Sequence, residues 1–75
     1  MNIDNALKKG QSILKDNNIT SPQLDSEILM SKALNKEKKY LIINGNFEIS
    51  KNKLDYFNFL ISQRSNGKPI AYLLG

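Results

Sequence analysis

The sequence predicts an all-α fold: a small orthogonal bundle of four to five short helices forming one domain over residues 1–75. Three observations lead there. Apolar side chains recur at three- and four-residue spacing in successive segments. Asn, Ser, Pro and Gly punctuate those segments at helix-end positions. No alternation of apolar and polar residues is long enough for a sheet, and valine is absent.

In the first segment Ile3, Ala6, Leu7, Ile13 and Leu14 share a helical face, with Gly10 a tolerated weak point. Asp4 complements the dipole in the opening turn, and Asp16-Asn17-Asn18 breaks the pattern. A second helix starts at Ile19-Thr20-Ser21-Pro22. Ser21 is positioned to accept a hydrogen bond from a free first-turn amide, and Pro22 fits the first helical position. Asp25 and Glu27 follow near the positive end. Leu24, Ile28, Leu29 and Met30 supply the buried stripe, continued by Ala33 and Leu34. Asn35 is expected to end this helix and cap a short third one, Lys36 to Ile43, with Gly45 as its left-handed stop.

Phe47-Glu48-Ile49 bridges to Ser50, a second N-cap candidate. The fourth helix, Lys51 to Ser65, carries Leu54, Phe57, Leu60 and Ile61 on one face, and Tyr56 and Phe59 widen that stripe. Asn66-Gly67 terminates it. Lys68-Pro69 begins a last turn, Ile70 to Leu74, ending at Gly75.

Composition excludes several function classes. Zero Cys and zero His remove disulfides, thiolate zinc sites, cysteine nucleophiles and the usual neutral-pH proton shuttle. No run approaches the roughly 18 apolar residues of a bilayer span, so no membrane partner is expected. Met1-Asn2-Ile3-Asp4-Asn5 lacks the basic region and long apolar run of a secretory signal. An intracellular, reducing, cytoplasmic setting is the expectation. The net charge of +4 comes almost entirely from lysine, Arg64 being the sole arginine, and makes a weak case for nucleic-acid binding.

No residues assemble a reaction centre. Asp25 and Glu27 are the only close carboxylate pair, but two positions apart on a helix they diverge, which suits dipole complementation better than acid–base work. Ser21 and Ser50 have no histidine to activate them. Gly45, Gly67 and Gly75 lie too far apart for a phosphate loop. Catalytic, cofactor-binding and metal-ligating residues are therefore none. The clusters Lys8-Lys9, Lys36-Lys38-Lys39 and Lys51-Lys53, with Tyr40 or Tyr56 for stacking, form the alternative: a free-standing adaptor or RNA-binding bundle. Interspersed Asp4, Asp16, Glu37, Glu48 and Asp55 dilute that field, so solvated surface is the preferred reading.

The last dozen residues carry the most information. Arg64 complements a helix end, Gly67 stops the helix, Pro69 starts the last turn and Tyr72 is expected to anchor that turn into the bundle. The stretch closely resembles the end of the amino-terminal domain of the release-factor glutamine methyltransferases, the HemK/PrmC family. That family's Arg-x-x-Gly-x-Pro-Ile/Leu-x-Tyr-Ile/Leu-x-Gly signature is matched from Arg64 to Gly75. Its earlier Ser-Pro-x-Leu-Asp-x-Glu-x-Leu-Leu/Met element is matched by Ser21, Pro22, Leu24, Asp25, Glu27, Leu29 and Met30.

The resemblance implies a longer parent, with a Rossmann-like catalytic domain that binds S-adenosylmethionine and methylates a glutamine side chain of peptide-chain release factors. The family's glycine-rich cofactor loop and Asn-Pro-Pro-Tyr motif are absent from these 75 residues, so no catalytic or cofactor role transfers to any position here. A binding role does: recognition of the release factor, or docking against the protein's own C-terminal catalytic domain. Asp25, Glu27, Arg64, Lys68 and Tyr72 are the candidate contact residues for either role.

Overall fold

Three helices end in the same hydrogen-bonded reverse turn, and that repetition sets the shape of the molecule. The computed structural model describes all of residues 1–75. It contains α1 (Ile3–Asp16), α2 (Pro22–Leu34), α3 (Lys38–Ile43), α4 (Lys51–Ser65) and α5 (Ile70–Leu74). After α1, the Ile19 amide donates to the Leu14 carbonyl and the Asn18 amide to Lys15. After α2, Lys36 and Asn35 donate to Ser31 and Lys32, and after α4, Lys68 and Gly67 donate to Gln63 and Arg64. Each turn needs one left-handed residue, supplied by Asn18 (φ 63°), Asn35 (φ 55°) and Gly67 (φ 97°). Asparagine tolerates that conformation better than other side chains, which is why it serves twice.

The all-α bundle expected from the sequence is present, and its core is one cluster built chiefly from α1, α2 and α4. Phe57, Leu14, Leu29, Met30 and Ile61 are almost wholly excluded from solvent. Gly10 lies where α1 meets α4. A Cβ there would stand 2.8 Å from Phe57 Cζ and 3.1 Å from Ile61 Cδ1, so the helices approach through the missing side chain. The glycine that reads as a weak point in the helix is thus required by packing. No helix is long and apolar enough to cross a membrane.

Several expected details differ. Neither Ser21 nor Ser50 makes a side-chain cap hydrogen bond. The residue that caps through its side chain is Asn2, whose carbonyl oxygen accepts from the Asn5 amide at 2.8 Å. The two amides before Asn5 are satisfied from across the fold, Ile3 by the Phe47 carbonyl and Asp4 by the Gly45 carbonyl, both at 3.0 Å. An antiparallel bridge between Asn2 and Glu48 completes this seam. Gly45 is consequently not the left-handed stop of α3. It is buried at the seam, where a Cβ would collide with the Asp4 carboxylate. Helix α3 also starts two residues later than expected, at Lys38, because the reverse turn after α2 consumes Asn35 and Lys36.

The buried stripes are also narrower than the sequence spacing predicts. Ile13, Leu24, Tyr56 and Phe59 are exposed, because each helix has neighbours on fewer sides than a full stripe would need. On α4, Lys51 donates to Asp55 one turn later at 2.9 Å. That hydrogen bond, with the carboxylate's charge, raises the lysine above its ordinary 10.5. A raised folded-state value adds stability that is fully present below that ordinary value and is lost as pH rises through the folded one. Asp55→Asn is therefore expected to melt slightly below the parent at neutral pH. The gap should narrow as pH climbs past that window, in paired thermal melts followed by circular dichroism.

Candidate interaction surface

The candidate residues come from the start of α2, the end of α4 and the turn into α5, and they separate into three groups. Asp25 lies in the first turn of α2 and Arg64 in the last turn of α4. Folding brings them together across 39 positions: Arg64 Nε donates to Asp25 Oδ2 at 2.9 Å. Their side chains are only 22% and 9% exposed, for Arg64 and Asp25 respectively. The guanidinium also donates through Nη1 to the Lys68 carbonyl at 3.0 Å. One arginine thus joins α2, α4 and the turn that leads into α5. Its planar fork of donors makes this possible, which a lysine ammonium at the same place would not reproduce.

Glu27 points elsewhere, as the two-residue spacing requires. Its carboxylate meets Lys38 at 3.1 Å, tying α2 to the start of α3. The remaining pair, Lys68 and Tyr72, is local, with the ammonium 5.2 Å from the centre of the ring. Tyr72 does not anchor the last turn. It is 67% exposed, and no residue of α5 is buried. The half-buried Ile70 and Leu73 hold α5 against the core instead. Tyr72 and Leu74 are thereby left exposed, Leu74 on the same groove as Leu24 and Ile28 of α2. That groove has a volume of about 340 Å³, with Glu27 and Lys38 also on its wall.

A second surface gathers Lys36, Tyr40 and Lys53, which the sequence offers only as basic clusters with a stacking ring, around an apolar cleft. Tyr40 of α3 and Phe47 meet edge to face, with ring centres 6.5 Å apart, beside a cleft of about 210 Å³. Ile42 and Ile43 nearby are 72% and 68% exposed. The available signal was the run Tyr40-Leu41-Ile42-Ile43 on a one-sided helix: four successive apolar residues cannot all face one core, and only Leu41 is buried.

The family described as the PrmC N-terminal domain matches residues 5–75. A release factor glutamine methyltransferase of Clostridium acetobutylicum is 38% identical over 73 residues, covering 97% of this chain and 26% of that protein. One of Buchnera aphidicola subsp. Schizaphis graminum is 39% identical over 75 residues, with coverage of 100% and 26%. A bifunctional methyltransferase of Rickettsia conorii is 37% identical over 57 residues, 76% of this chain and 11% of the relative. The chain spans about a quarter of the length of the release factor glutamine methyltransferases it matches. No solved structure matches it.

Proposed function

The chain belongs to the PrmC N-terminal domain family, and from that premise we propose that it is the release-factor-binding domain of a protein-(glutamine-N5) methyltransferase. In this reading the methyl donor, S-adenosylmethionine, and the chemistry belong to a catalytic domain beyond these residues. A glutamine amide is a poor nucleophile, so the reaction depends on holding it in attack geometry. Contacts to a folded protein substrate far from the reacting atoms can supply that positioning.

The observation that carries the proposal is the bracing of α5. Arg64, held by Asp25 and bonded to the Lys68 carbonyl, fixes the start of a turn whose Tyr72 and Leu74 remain exposed. An exposed tyrosine on a braced turn, beside an apolar groove, has the character of an interface anchor. Asp25 and Arg64 serve this surface by positioning it, Lys68 and Tyr72 by contact, and Glu27 from the wall of the adjoining groove.

The test is calorimetric binding of the 75-residue chain to a peptide-chain release factor. Tyr72→Ala is expected to weaken binding about tenfold or more while leaving the melting temperature unchanged. Unchanged binding, together with slower methylation by a chimera carrying this chain ahead of the Clostridium acetobutylicum relative's remaining residues, would assign the ridge to docking on the catalytic domain. Failure of the chain to bind any release factor, with RNA affinity that falls steeply as salt is added, would replace this reading with the RNA-binding one.

A further inference from the structure

We infer that the cleft beside Tyr40 and Phe47 is a docking site for a short acidic protein segment bearing one large apolar side chain. The cleft shares no residue with the α2–α5 groove, so the inference goes beyond the role of the α5 ridge. Its floor is apolar, formed by the buried Ile3, Leu34 and Ile49. Its volume of about 210 Å³ falls below the roughly 300–1,000 Å³ typical of small-molecule sites. One anchoring side chain is the occupant such a space suits, and anchors in small desolvated pockets dominate binding energy at protein interfaces.

Charge selects the flanks of that anchor. Lys36 and Lys53 line the cleft, and neither has a carboxylate partner. Glu48, the one acid on the wall, is already bonded to the terminal ammonium of Met1 at 2.8 Å. The uncompensated charge around the opening is therefore positive, and Asp or Glu on either side of the anchor complements it. A nucleic-acid base fits less well. The Lys36 ammonium lies 5.1 Å over the Tyr40 ring, covering the face on which a base would stack. Beyond the cleft, Ile43 lies one helical turn from Tyr40 and extends the apolar contact area.

The experiment is an amide chemical-shift titration of the isotopically labelled chain with acetyl-Glu-Asp-Phe-Glu-Asp-amide. Expected are saturable shifts at Tyr40 and from Phe47 to Lys53, weakened about three- to tenfold in a Lys36→Gln/Lys53→Gln double variant. Replacing the peptide's Phe by Ala should weaken binding about tenfold, as loss of an anchor does. Four results would overturn the inference: no shifts at millimolar peptide, equal binding of the peptide with Lys for its acids, stronger binding of a uridine decamer, or shifts centred on Leu24 and Leu74. Tyr72→Ala is expected to leave the titration unchanged, so this cleft and the α5 ridge stand or fall separately.

Discussion

Phe57→Ala is expected to lower the unfolding free energy by about 3–5 kcal/mol, the usual cost of emptying a buried aromatic site. Phe57 is 1% exposed and sits where α1 and α4 come closest. A domain of this length holds only about 4–11 kcal/mol in total, at roughly 0.05–0.15 kcal/mol per residue. The melting temperature should accordingly fall by about 12–40 °C, at about 4–8 °C per kcal/mol. Gly10→Leu attacks the same contact from the other side. Its new atoms would meet Phe57 and Ile61, and an overpacking cost of about 1–3 kcal/mol outweighs the roughly 1 kcal/mol gained in helix preference. The double variant should be more stable than the sum of the two predicts, because leucine partly fills the space that phenylalanine vacates. Urea unfolding of the four proteins measures this directly; strict additivity would mean the two positions do not share that space.

Arg64→Ala is expected to cost about 3 kcal/mol, and Asp25→Ala distinctly less. The asymmetry follows from what each leaves behind. Without Arg64, the Asp25 carboxylate is a buried charge with no partner, the expensive outcome for a broken ion pair. Without Asp25, Arg64 keeps the Lys68 carbonyl and is more open to water. Removing both should restore part of the loss, since neither charge is then stranded. A double variant no more stable than Arg64→Ala would show instead that Arg64 contributes mainly by packing its hydrocarbon stem.

The order of the helices, and their number to within one, were legible because they rest on local rules. Asn35, Gly67 and Pro69 each fall beside an apolar-periodic segment, where such residues end or begin a helix, and the same signals give α4 its bounds. The seam between the amino terminus and residues 45–49 was not legible. It depends on carbonyls of Gly45 and Phe47 reaching Ile3 and Asp4, and backbone acceptors leave no mark on the sequence. The same seam explains why Gly45 was read as a turn residue when it is a point of close approach. Of the candidate surface, the residues were recognisable but the pairing was not. Asp25 reads as a dipole complement from its place in α2, and only the fold brings Arg64 to it from 39 positions away. Tyr72 reads as an anchor because aromatic residues on short helices usually are; here Ile70 and Leu73 do that work and release it.

That α5 has no fully buried residue and α3 only Leu41 has a kinetic consequence. Protection against hydrogen exchange should divide the molecule. The amides of α1, α2 and α4 around Phe57 are expected to exchange only through global unfolding, while those at the two short helices open locally and far more often. Each surface offered to a partner thus sets one short helix, Tyr40 of α3 or Leu74 of α5, against the slowly opening part of the domain, and a partner that seats there would quench the local opening as it binds.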